Sequence, residues 1–163
     1  MVRLAVYDDI PRILEIFGIA RRFMALSGNA SQWPENYPSR EIVQDDIDAG
    51  ACRVLVDAGG VYAVFSLFLG EEPTYARIYE GAWPNSELYG TIHRIASDGT
   101  HRAVLHEAVL YCREIVNVLR ADTHKNNLPM KRALVREGFR YCGIIHLAKA
   151  EDYERVAYQW ECR

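Results

Sequence analysis

His93 and Glu80 are the side chains in this sequence best suited to moving a proton. An imidazole has an unperturbed pKa near ~6.5, so it can take and release a proton at neutral pH. A carboxylate does the same work when its surroundings raise its pKa. Either residue can act directly or through an ordered water. Each also has a plainer reading: a half-buried histidine bonded to a neighbouring strand, or a solvated carboxylate. Asp122 with His124 has two metal-ligand types close together. Two such residues on one strand do not make a site without further ligands, so no metal is expected. The four cysteines, Cys52, Cys112, Cys142 and Cys162, are scattered without a Cys-x-x-Cys pair. They read as reduced, mostly buried thiols rather than a disulfide framework.

The elements that must carry these residues follow from local patterns. Val2 to Val6 reads as a first strand. Asp8 and Asp9 then offer N-caps, with Pro11 tolerated in a first helical turn. Ile10, Ile13, Leu14, Phe17 and Met24 share one face of a helix that Gly28 and Asn29 end. Gln32 to Pro38 is a loop, and Ser39 caps a short helix from Arg40 to Asp48. Strands are predicted at 52–57, 61–69, 75–83 and 91–97, with Gly59-Gly60 as a turn between the first two. Val104 to Ile115 reads as an amphipathic helix and Val118 to Thr123 as a strand. Asn127 or Asn126 caps a last helix that stops at Gly138, and strands at 139–147 and 155–160 complete the chain. Ile92 and Ile95 are three apart, so strict alternation puts them on opposite faces. A bulge between them restores one apolar face, and a strand buried on both sides is the alternative.

This order, a run of antiparallel strands and then strand–helix–strand, predicts a mixed α/β fold of one domain spanning 1–163. Its single, mostly antiparallel central sheet carries helices on both faces. The chain has 163 residues, half of them hydrophobic and a quarter charged, enough for one core without staples. A net charge of −3 gives no reason to expect nucleic acid or an anionic membrane as partner. No apolar run suits a signal peptide or a membrane span, which points to a cytoplasmic protein.

Over nearly its whole length, and most strongly from Tyr89 to Ile145, the sequence resembles the GNAT superfamily of acyl-CoA N-acyltransferases. Ile92-His93-Arg94-Ile95-Ala96-Ser97-Asp98-Gly99 is similar to the family's fourth strand and following loop. Asp122 to Met130, running on to Gly138-Phe139, is similar to its second cofactor-facing motif. Asn127 stands eleven residues before Gly138, the family's spacing. The resemblance implies a bulged fourth strand that splays from the fifth into a V. It also implies acetyl-CoA as co-substrate, its pantetheine arm on the free strand edge and its pyrophosphate at the next helix start. On this sequence those cofactor positions are Ile95, Ala96, Ser97, His101, Arg102, Ala103, Val104, Leu105, His106, Asn127 and Met130.

The pyrophosphate loop departs from the family. The pattern Arg/Gln-x-x-Gly-x-Gly/Ala is here Thr100-His101-Arg102-Ala103-Val104-Leu105. Ala103 and Leu105 replace small positions, and Leu105 is expected to crowd phosphate. His101, Arg102 and His106 offer compensating partners. The family's tyrosine acid, four residues before the motif glycine, is here Leu134. Tyr141, Tyr111 or water would take its place.

The implied reaction is transfer of an acetyl or short acyl group to a primary amine of a small molecule or peptide by direct attack. His93, Glu80 and Tyr141 are the catalytic candidates. Trp33, Tyr37, Tyr79 and Trp83, with Tyr75, are candidates for the acceptor pocket, and the nearby Glu35, Glu71 and Glu72 suit a cationic amine. The exposed terminal strands would support a homodimer. The competing reading is a non-catalytic ligand- or protein-binding module on the same fold, one that has lost efficient CoA binding through Leu105 and its acid through Leu134.

Overall fold

The computed structural model describes residues 1–148 and 152–162. Seven strands form one sheet in the order β1-β2-β3-β4-β5-β7-β6. They are β1 Val2–Leu4, β2 Cys52–Asp57, β3 Gly60–Leu69, β4 Gly90–Ser97, β5 Val118–Thr123, β6 Arg140–His146 and β7 Glu154–Glu161. All neighbouring pairs are antiparallel except β4 and β5. Four helices cover the faces: α1 Ile10–Leu26, α2 Arg40–Asp48, α3 Val104–Arg113 and α4 Leu128–Arg136.

Local chemistry starts α2 and α4 as the sequence predicts, but the Asp9 side chain does not cap α1, its carboxylate accepting instead from Arg3 and the Val6 N–H. Ser39 Oγ accepts from the Ile42 N–H and starts α2. Asn127 Oδ1 accepts from the Met130 N–H at 3.2 Å and starts α4. Period-two alternation then divides the core. Ile13, Ile16 and Phe17 of α1 pack with Val43 of α2 on Val54, Val64 and Ala96. On the other face Leu105, Ala108 and Val109 of α3, with Leu134 of α4, pack on Phe65, Ile92, Leu119 and Ala121.

The predicted strand over 75–83 is not one. Pro73–Tyr75 is a 3-10 turn, and only Tyr79 reaches the sheet, exchanging two backbone bonds of 2.8 Å with Ile144. Prolines at 73 and 84 and a left-handed Glu80, φ 55°, stop any longer ladder. The segment instead lies across the sheet face, so close that a Cβ on Gly81 would stand 1.9 Å from the Cys142 carbonyl oxygen. Tyr75, fully buried, packs there with Tyr89, Val118, Ile145 and Ala157. This crossing holds Glu72 against His93 in the middle of β4.

The expected bulge is present. Val64 pairs with Ala96 and Ser66 with His93, so Arg94 and Ile95 together oppose Phe65. Arg94 takes up the extra residue at φ 52°. Ile92 and Ile95 consequently both pack toward the α3 side. The Arg94 guanidinium turns to the α2 side, where Nε and Nη2 donate to both oxygens of Asp46 at 2.7–2.9 Å. Ser66 Oγ donates to the same carboxylate at 2.5 Å. Burial works to lower the Arg94 pKa, and the Asp46 carboxylate more than offsets it.

Candidate active site

β4 and β5 pair only at Gly90–Leu119 and Thr91–Arg120. Beyond that they part, because β5 is committed along six residues to β7 and β4 is bent by its bulge. Gly90 seals the apex: a Cβ there would lie 2.9 Å from Leu67 Cδ1 and 3.1 Å from Val116 Cγ1. The result is a V whose β4 edge carries backbone groups without a strand partner. A cavity of about 870 Å³ runs through it.

The cavity has an apolar and a polar half. Ile92, Ile95, Leu105, Ala121, Met130 and Leu134 line the first, on the α3–α4 side. Glu72, His93, Arg94, Asp122 and Arg155 line the second, under the loop carrying Trp33 and Tyr37. That loop is tied to the end of β5 by Gln32, whose Oε1 accepts from Asn127 Nδ2 at 3.0 Å and Thr123 Oγ1 at 3.3 Å. Trp33 packs edge-on against Phe17 and Tyr37.

His93 Nε2 lies 3.0 Å from Glu72 Oε2. The bond from His93 holds the Glu72 carboxyl down at about 2, helped by the N–H and hydroxyl of Thr74 against the opposing effect of burial. An ionised carboxylate only accepts, so Nε2 carries a proton, and in the neutral imidazole Nδ1 is the nitrogen with the free lone pair. Asp122 Oδ2 accepts from the Tyr75 hydroxyl at 2.6 Å. Burial, then the Asp122 charge, pushes the Tyr75 phenol well above its ordinary value, so it stays a donor.

At the start of α3, Ala103 adopts a left-handed φ of 60° with no side-chain cap. The N–H groups of Val104, Leu105 and His106 find no acceptor among the described residues. This is an open helix terminus of the kind that receives anions. Leu105 does not stand over it: its side chain is 8 % exposed and belongs to the core beneath the helix. The open β4 edge, the apolar half of the V and this helix start together fit a pantetheine arm and a pyrophosphate.

Of the residues expected from sequence, the fold brings His93, Ile95, Leu105, Asn127, Met130, Trp33 and Tyr37 to one cavity. Ala103, Val104 and the exposed Arg102 stand at the helix start. Ala96 is buried toward α1, and Ala96 and Ser97 pair with β3 on their inner edge. His101 is engaged elsewhere, stacked on Tyr62 at 3.7 Å with Nε2 2.9 Å from Asp57. His106 Nδ1 is likewise 2.9 Å from Glu137.

Five candidates for catalysis or the acceptor pocket lie away from the cavity, among them Tyr75, which is buried beside the second cavity. Glu80 is exposed in the crossing segment rather than on a strand beside β4. Tyr141 is 53 % exposed on β6, facing Tyr158. Tyr79 stacks on His146 at 4.1 Å, and Trp83 lines a second cavity beside Arg120. Tyr75, Tyr79, Glu80 and Trp83 fall in the segment read as a strand over 75–83, and Tyr141 sits on the far edge strand of the sheet. Conversely Arg94 and Arg155 emerge only in three dimensions, as do the partners of Glu72 and Asp122. Asp122 and His124 do not share a ligand, since His124 Nε2 is 2.5 Å from Asp152. Among the described residues no group of three His, Cys, Asp or Glu could hold a metal ion. The four cysteines are free, and burial lifts Cys52 and Cys112 to about 12. No described helix is long and apolar enough to cross a membrane.

A sheet opened between two parallel strands, with a bulge on one and a helix start at its mouth, is an acyl-CoA transferase architecture. A GNAT-family acetyltransferase from Streptococcus agalactiae 2603 is 31% identical to the chain, covering 100% of it and 95% of its own length, with a TM-score of 0.88. The chain belongs to the GNAT family of acetyltransferases. More distant structures share the fold: a GNAT-family acetyltransferase of Listeria monocytogenes 4b F2365 (17% identity, 99% and 94% coverage, TM-score 0.70). A Salmonella typhimurium protein solved with its cofactor acetyl-CoA does so too (14% identity, 99% and 92% coverage, TM-score 0.62). No protein-family model and no curated protein sequence matches the chain.

Proposed function

We propose that this chain is one domain that transfers an acetyl group from acetyl-CoA to a primary amine of a small molecule or peptide, by direct attack. The observation that supports this most is the parting of β4 from β5 after two residue pairs, which leaves a cavity of about 870 Å³ between them. Acetyl-CoA, as co-substrate, supplies the activated thioester. The β4 edge past Thr91, Asn127, Met130 and the N–H groups of Val104, Leu105 and His106 are the groups that hold it.

His93 is the proton acceptor in this reading. Glu72 fixes its tautomer and turns Nδ1 into the base. Glu72 and Asp122 make the polar half attractive to an ammonium, which must lose its proton before it attacks. Trp33 and Tyr37 keep bulk water from this end. Leu134, 1 % exposed, offers no acid at the family's tyrosine position, so protonation of the leaving group falls to water.

The second reading, a non-catalytic module, draws its support from that same leucine. Thermal-shift titration separates the two. Acetyl-CoA or CoA at 100 times its Kd stabilises the native state by about 2.7 kcal/mol, or about 5–10 °C in a chain of this length. Release of free CoA with an amine panel then reads turnover. His93→Ala lowers kcat by about 100-fold or more while leaving the acetyl-CoA shift intact. No shift with either ligand favours the module, and full turnover by His93→Ala removes the histidine from the mechanism.

A further inference from the structure

Two opposite charges stand side by side in the polar half of the cavity without closing on each other. Asp122 pairs across the sheet with Ala157, and Arg155 lies two residues before Ala157, on the same face of β7. Such diagonal neighbours have Cα atoms about 7–8 Å apart, within reach of a salt bridge for long side chains. None forms. Asp122 is drawn to the Tyr75 hydroxyl at 2.6 Å. Arg155 is held by carbonyls: Nη1 donates to Asp152 O at 2.7 Å and Glu154 O at 2.8 Å, and Nη2 to Gln32 O at 3.4 Å. Among the described residues no carboxylate is within ion-pair distance of it.

We propose that the acceptor carries an ammonium and a carboxylate close together, as an α-amino acid does, with its carboxylate on Arg155 and its amine on Asp122 beside His93. This rests on the acyl-transfer reading and names its substrate class. A guanidinium has five N–H donors, and Arg155 spends three on carbonyls. The two left are the number that a carboxylate takes in parallel. Arg155 is only 4 % exposed and lines the cavity, so its charge is a built feature of the pocket. Burial is the first influence on it and lowers its pKa, against the raising effect of the Asp122 and Asp152 charges.

The remaining charges nearby are already matched. Arg94 is spent on Asp46, Glu72 on His93, and Asp152 on Ser31 and His124. Tyr37 lines the cavity on the loop side, where its phenol can offer a neutral donor. An amine without a carboxylate would close the pocket over two unmet Arg155 donors, which sites built for a polar group select against strongly.

The test is made on the full chain with three acceptor sets: the common L-amino acids, their amides, and simple alkylamines. CoA release gives kcat/KM, and thermal midpoints are read with acetyl-CoA and with CoA plus acceptor. The expected result is acetylation of one or more amino acids, with the matching amide at least ~100-fold poorer in kcat/KM. Arg155→Lys and Tyr37→Phe raise KM for that amino acid and leave the acetyl-CoA shift unchanged. The acid and amide comparison uses the unaltered protein, so it stands even if Arg155→Lys fails to fold. Amides or alkylamines that equal the acids overturn the proposal and leave acyl transfer intact. An acetyl-CoA shift with no amino acid either turned over or stabilising also overturns it. No acetyl-CoA shift removes both readings together.

Discussion

Glu72→Gln isolates the pair on which the proposed base depends. The substitution keeps the shape and the bonds from Thr74 but removes the charge that faces His93. A carboxyl at about 2 in the fold, against an ordinary 4.5, contributes up to about 3 kcal/mol above pH 4.5. The side chain is 19 % exposed and glutamine retains part of the bonding, so about 1–2 kcal/mol is expected at pH 7. That corresponds to a midpoint lower by about 2–8 °C. The sign is fixed by the direction of the shift. The folded-state value lies below the unfolded one, so the stability is fully present above pH 4.5. It is lost as pH falls through 2, and about 40% remains at pH 3. Denaturant unfolding of both proteins at pH 7, 4 and 3 should show the gap shrinking in that order. The glutamine amide can also donate to Nε2 and push the imidazole proton to Nδ1, so turnover at pH 7 should drop about 10- to 100-fold. A gap that is the same at pH 7 and pH 3, or an unchanged kcat, would refute the reasoning.

Two further substitutions test what shapes the V. Arg94→Ala strands the buried Asp46 carboxylate with Ser66 alone and should cost about 3–5 kcal/mol by denaturant unfolding, largely recovered in the Arg94→Ala/Asp46→Ala double variant. Leu105→Gly removes a core side chain from the first turn of α3 and should destabilise by about 3–5 kcal/mol without tightening CoA, because that leucine packs beneath the helix rather than over its N–H groups. Tighter CoA binding by this variant, read in the same titration, would mean that the side chain crowds the phosphates after all.

The sequence by itself determined the elements whose signals are local. Ser39 and Asn127 cap α2 and α4 because a short side-chain oxygen three residues before an N–H satisfies it wherever the chain lies. Alternating and helical apolar periods gave both faces of the sheet, and the misfit of Ile92 with Ile95 allowed either a bulge or a doubly buried strand, of which the register shows the bulge. His93, beside that bulge, was readable for the same reason. Tertiary structure alone decided the segment 75–83, whose residues look like a strand but make only the Tyr79–Ile144 bridge and otherwise cross the sheet. It also decided the partners of the candidate base and of the acceptor pocket. Glu72 reaches His93 across 21 residues, and Asp122 meets Tyr75 across 47. Gln32 meets Arg155 across 123. Pairings at such separations depend on where β5 and β7 dock and where β4 leaves β5, and no period in the sequence encodes that distance.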